Sequence, residues 1–199
     1  MTVSEMQAEF LRQQNELRGR IEPVDRFAIG SVRLVAGVDL AYWNSGDAEY
    51  AVCCIVIIDA ETKEVLEKQH CSGKIEVPYM PGFLAFRELP LILKTVGMLR
   101  SDPDLFVFDG NGYLHPRHMG IATHASFSLQ KPTVGIAKTY FRVDQKTDYK
   151  SPKTKRAAIR ILSSTVRCTA ERCGHRRMSG RFLSRSETSF LWIQPAHSP

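Results

Sequence analysis

No apolar run in this chain is longer than a strand. The longest stretches are of the size of Ala51–Ile58, far short of the ~20 residues a membrane-spanning helix needs. The first residues, Met1–Glu22, are charged and lack the apolar block of a secretory signal, so a cytoplasmic or nuclear location is expected. Paired cysteines are also missing. There are five, an odd number, two of them adjacent at Cys53-Cys54 in a strand-like run. That pattern excludes a disulfide frame and reads as buried thiols in a reducing compartment. A zinc site from Cys168, Cys173 and His175 would need a second paired motif, and none is present. Internal repeats are absent as well.

What is present is enough for one domain. The chain has 199 residues, 43% hydrophobic, with ten Phe, so it can bury a core. Its net charge of +6 is unevenly spread. Residues 141–199 carry 13 Lys/Arg against 4 Asp/Glu, whereas residues 1–140 carry 14 against 17. The reading is therefore a folded core over 1–141 and a basic tail over 142–199, expected to be partly disordered. A basic tail suits a polyanion, but charge alone does not establish nucleic-acid binding.

Along the chain, Met6, Phe10, Leu11 and Leu17 space as one face of a helix over Met6–Arg20. Strands are expected at Arg33–Tyr42, Tyr50–Asp59 and Val65–Val77, joined by short turns as an antiparallel meander. After the broken segment Pro78–Gly82, a helix is expected from Leu84 to about Leu99, with Pro90 in its first turns or kinking it. Short apolar strands at Leu105–Asp109 and Thr133–Ala137 flank a Gly-rich loop and a helix over His118–Leu129. Helices alternating with short strands favour parallel pairing. The sum is an α/β fold: a mixed central sheet, antiparallel meander plus parallel βα units, flanked by helices. A further helix over Lys153–Leu162 is expected in the tail.

Two carboxylates sit where apolar strands would ordinarily exclude them. Asp39 interrupts Leu34-Val35-Ala36-Gly37-Val38-Asp39-Leu40, and Asp109 ends Phe106-Val107-Phe108 before Gly110. Burying such groups is costly unless something positive meets them. With Glu88 in an early helical turn they make a hard-oxygen set suited to Mg²⁺, with Mn²⁺ as a substitute. Each alone has a plainer reading as a turn or helix-start carboxylate. Lys138 follows a strand and could reach a phosphate. His115, His118 and His124 surround the Gly-rich loop, His115 lying within it. Pro78 and Pro81 stiffen a loop that is expected to present Tyr79 and Met80, a combination suited to wedging between stacked bases.

Together these segments strongly resemble the endonuclease V family. The resemblance is carried by Val38-Asp39-Leu40-Ala41-Tyr42, by the string from Pro78 through Tyr79, Met80, Pro81, Gly82, Phe83, Leu84 and Ala85 to Phe86-Arg87-Glu88, by Asp104 to Gly112, by His115-Pro116-Arg117 and by Pro132 to Lys138. It implies a ribonuclease-H-like fold. It also implies that Asp39, Glu88 and Asp109 hold a divalent metal, and that Lys138 stands near the reacting phosphate. Pro78, Tyr79, Met80 and Pro81 match the wedge; Gly82, Leu84, Gly110, Gly112, His115 and Gly120 match the surroundings of a flipped hypoxanthine. The implied reaction cuts the second phosphodiester bond on the 3′ side of inosine in single-stranded RNA or of deoxyinosine in DNA, leaving 3′-hydroxyl and 5′-phosphate ends. A monomer is expected, without membrane contact. The likeness fades after Phe141, where Gly174-His175-Arg176 only echoes the family's later segment. The alternative reading is therefore a catalytically impaired chain that binds inosine-containing nucleic acid without cutting it.

Overall fold

The computed structural model describes residues 2–21, 28–137 and 190–194. Helix α1 (Val3–Arg18) begins at a reciprocal cap: Thr2 Oγ1 accepts the Glu5 amide and Glu5 accepts the Thr2 amide. A 3₁₀ turn (Ile29–Ser31) then leads into β1 (Leu34–Ser45), β2 (Ala48–Asp59) and β3 (Val65–Lys74). The chain continues through α2 (Leu84–Val96), β4 (Leu105–Asp109), α3 (Ile121–Leu129) and β5 (Thr133–Ala137), and β6 is Phe190–Gln194. The six strands lie in the order β3-β2-β1-β4-β5-β6. β1 pairs antiparallel with β2, and β2 with β3; β1–β4 and β4–β5 are parallel; β5–β6 is antiparallel. The meander feeding parallel βα units is the expected mixed sheet.

Three element boundaries differ from the sequence reading, two of them for clear reasons. β1 runs on through Trp43-Asn44-Ser45, because Ser45 pairs with Ala48 across the two-residue hairpin Gly46-Asp47. Gly46 takes φ +59 there, as such a tight turn favours. β3 ends at Lys74 rather than Val77. α3 starts at Ile121 and not at His118, since His118 adopts φ +56, outside the helical region. Pro90 lies in the second turn of α2 on its exposed side. The helix expected over Lys153–Leu162 and most of the tail lie outside the described residues.

Alternation along the strands builds the core. Ala36 and Val38 of β1, with Ala51, Cys53, Ile55 and Ile57 of β2, face α2 and α3, whose Ala85, Leu89, Ile92, Ile121 and Ala125 close over them. The same alternation sends Cys54 outward; Cys53, Cys54 and Cys71 are all free thiols. The β1–β4 register is set at its start. Asp104 Oδ2 accepts the Arg33 and Leu34 amides at 2.8 and 2.9 Å, and the Asp104 amide returns to the Leu34 carbonyl at 2.9 Å. Among the described residues no helix is long and apolar enough to cross a membrane.

Candidate active site

Parallel pairing does for the carboxylates what the sequence required. The register that sets Val38 beside Phe108 carries Asp39, midway along β1, and Asp109, at the C-terminal end of β4, to neighbouring positions where the β1–β4 pairing stops, the kind of place where open α/β sheets collect ligands. Glu88 joins them from α2. The three line one cavity of about 230 Å³ together with Val38, Leu40, Tyr42, Phe108 and Ile121.

Glu88 is buried, and that burial pushes its carboxyl up to about 7; Asp39 and Asp109 add repulsion, while Tyr42 and Arg87 oppose the rise. The Tyr42 hydroxyl donates to Glu88 Oε1 at 2.5 Å. Arg87 lies over the Tyr42 ring, 4.7 Å from its centroid, bonds to Glu49, and donates to the Val77 carbonyl at 2.8 Å. The result is a line of contacts, Glu49–Arg87–Tyr42–Glu88, that fixes one carboxylate of the cavity.

The donor chemistry fits a hard divalent cation: three carboxylates in one cavity, one already made costly to ionise by its surroundings. Their present geometry is less gathered. Among the described residues no group of three or more His, Cys, Asp or Glu is arranged to hold a metal ion, and Glu88 commits one oxygen to Tyr42. Lys138 lies outside the described residues, as do Cys168, Cys173 and His175.

The loops beside the cavity are built differently. Tyr79 is 67% exposed, whereas Met80 is buried at 4%. So the Pro78–Gly82 segment presents Tyr79 and buries Met80, where the sequence led one to expect both side chains to be presented. Its last carbonyl, of Gly82, is gripped from below. Gln14 Nε2 donates to it at 3.1 Å and Arg117 Nη2 at 2.9 Å. His115 accepts the Arg117 and Met119 amides on Nδ1, with the Gly82 backbone close to its other nitrogen. Burial first, and the Arg117 charge second, lower His115 to about 4, so its ring is neutral. His115 therefore shapes the loop from within through Nδ1.

Gly82 holds φ +83, and a Cβ there would meet Arg117 Nη2 at 2.8 Å. At Gly120 a Cβ would sit 2.3 Å from the Asn111 carbonyl oxygen. Gly112 and Gly120 are buried, and Leu84 and Gly110 partly so. The loop is thus a close stack of backbone on backbone. His118 stacks on Tyr113 at 4.0 Å and His124 packs edge-on to Phe86 at 4.7 Å.

Three contributors escaped the sequence reading. Tyr42 and Arg117 lie inside the motifs and were visible there; Gln14 carries no local signal beyond standing four residues after Phe10.

Comparison with known proteins agrees with this arrangement. The sequence pattern of the family described as Endonuclease V matches residues 15–182, further on both sides than the motif stretch Leu34–Phe141. An Endonuclease V of Clostridium acetobutylicum is 55% identical over 154 residues, covering 77% of this chain. This chain spans 65% of that protein, and 57% of each of two Bacillus relatives. The crystal structure of Endonuclease V from Bacillus subtilis matches with a TM-score of 0.69 and 52% identity, over 75% of this chain and 62% of that one. That of Ciona intestinalis Endonuclease V, bound to a 23mer DNA containing an inosine followed by a ribo-adenosine, matches with a TM-score of 0.64 and 30% identity, over 70% and 59%. The fold is ribonuclease-H-like, shared with these structures.

Proposed function

The chain belongs to the endonuclease V family, and from that premise we propose that it is a metal-dependent endonuclease for inosine-containing nucleic acid. The bond cut is the second phosphodiester on the 3′ side of inosine, leaving 3′-hydroxyl and 5′-phosphate ends. One observation carries the reading: Asp39, Glu88 and Asp109 line a single cavity where the parallel pairing of β1 and β4 stops, with the Tyr79 loop at the start of the helix that bears Glu88. The inosine-containing DNA held by the Ciona intestinalis relative supports hypoxanthine as the recognised base.

Each part of the chain has a distinct task. Asp39, Glu88 and Asp109 would hold the cation, Mg²⁺ or Mn²⁺. When bound, it lowers the pKa of an attacking water and offsets charge on the phosphate and leaving oxygen. Tyr42 holds Glu88 Oε1, leaving its second oxygen for the cavity. Tyr79, exposed between Pro78 and Pro81, enters the stack beside the extruded base, where base–aromatic stacking is worth about 1–3 kcal/mol. The backbone around Gly82 and Gly110 offers amide and carbonyl groups to the neutral hypoxanthine edge. Lys138, outside the described residues, matches the family's lysine near the reacting phosphate and would serve the same end here.

The test is a mapped digestion. Single-stranded RNA and DNA, each carrying one inosine, are incubated with the full chain in Mg²⁺ and in chelator. A cut one bond beyond the inosine's own 3′ phosphate, dependent on Mg²⁺, is expected, and the two arms separate RNA from DNA. Inosine-selective binding without any cut would overturn the nuclease reading in favour of a non-cutting binder.

A further inference from the structure

Gln14 is the one polar side chain of α1 that the fold buries completely, at 0% exposure. An amphipathic helix ordinarily places an apolar residue there, four positions after Phe10. Its carboxamide is fully used. Nε2 donates to the Gly82 carbonyl at 3.1 Å and faces the Met119 carbonyl at 3.4 Å; Oε1 accepts from Arg117 Nε at 2.5 Å. Turning the amide over would set its oxygen against two carbonyls and its NH₂ against a guanidinium, so the network fixes one orientation.

These partners belong to two separate segments. Gly82 ends the Tyr79 loop, and Arg117 and Met119 belong to the Gly-rich loop, 35 residues further on in the case of Arg117. Gln14 joins both to a third element, α1. Around it Phe10 stacks on Phe86 at 3.9 Å, and Arg117 lies over the Phe83 ring at 4.6 Å. Both sides of the junction are therefore packed as well as hydrogen-bonded.

We propose that Gln14 is a positioning residue for base discrimination, holding the Tyr79 loop and the Gly112–Gly120 loop at one fixed separation around the extruded base. This rests on the assignment of the two loops under the proposed function. Gln14 touches no substrate; it acts through Gly82 and Arg117. A neutral base is told from its neighbours by the placement of a few polar backbone groups, and small misplacements are costly to that.

The experiment uses the full chain with Gln14→Met, which keeps length and volume but loses both amide functions. Cleavage of inosine-containing strands is compared with adenosine- and guanosine-containing ones. The ratio of kcat/KM should fall about tenfold, through a higher KM for inosine with kcat nearly kept. Amide hydrogen exchange should quicken in 78–83 and 112–119 while β1, β2 and β4 stay protected. Unchanged discrimination in the folded variant, or exchange that rises equally throughout the sheet, would overturn the proposal. Should Gln14→Met not fold, Gln14→Asn, which retains an amide one carbon shorter, takes the same measurements; unfolding of both would assign Gln14 to stability alone. A wild-type chain that does not prefer inosine would instead sink the functional reading, while the exchange experiment would still report whether Gln14 couples the loops.

Discussion

The carboxylate cavity and the loop junction stand side by side yet are finished to different degrees. In the cavity three carboxylates line one space, and Glu88 is driven up to about 7 by burial and by its two acidic neighbours. At the junction a single carbonyl, that of Gly82, has Gln14 and Arg117 as donors, and the neighbouring His115 is held neutral. Under the proposed function, the cavity is left electrostatically open for a cation and a phosphate to complete, whereas the junction that would face a neutral base is completed within the protein, so that shape would do the selecting.

The largest break in that contrast is Asp39→Ala. Cleavage should fall by a factor of about 10³ or more, the scale set by losing a group that stabilises developing charge, while inosine binding in chelator is retained. Removing one of three crowded carboxylates should also leave the metal-free protein no less stable and abolish the rise in Tm expected of the wild type in Mg²⁺. Retained cleavage would take Asp39 out of the metal site.

Tyr79→Ala tests the other side. With 67% of the residue exposed, its loss should barely move Tm but should weaken the preference for inosine by about tenfold, in line with roughly 1–3 kcal/mol for one stacked base. Discrimination equal to wild type would reject the wedge assignment.

Gly120→Ala asks whether the loop junction is as tightly built as its contacts state. The added Cβ would lie 2.3 Å from the Asn111 carbonyl oxygen, so backbone must move, at about 1–3 kcal/mol. A urea titration should show a lower midpoint with an unchanged slope; an unshifted midpoint would mean the loop yields freely.

The two regions were unequally legible in the sequence. Asp39 and Asp109 stood out because a carboxylate in an apolar strand contradicts its surroundings, and parallel pairing then brought them together without further information. Glu88 needed the helix to be placed, which Leu84–Val96 allowed. The junction was nearly invisible. Gln14 looks like any solvated helix residue until Gly82 and Met119, 68 and 105 residues away, are seen above it. Met80 could not be told from Tyr79 because an irregular loop has no period to say which side chain points inward. The start of α3 was misplaced by three residues because His118 breaks the helical path through backbone conformation alone.

Acid should separate the regions by sign. His115 and His124 are lowered from 6.5 to about 4 by burial. Between pH 6.5 and 4 the unfolded chain takes protons that the native chain refuses, so their contribution is complete above 6.5 and is lost as pH falls towards 4. Glu88 runs the other way: raised from 4.5 to about 7, it binds a native proton in that window, and its contribution is full below 4.5 and lost as pH rises through 7. Two protons oppose one between pH 4.5 and 6.5, so metal-free stability should fall on acidification by no more than about 1.4 kcal/mol per pH unit. Glu88→Gln removes the opposing group, and urea unfolding across this range should then show a steeper loss. A slope unchanged by that substitution would mean that Glu88 is ionised in the cavity at neutral pH, leaving the contrast between the two regions to rest on geometry alone.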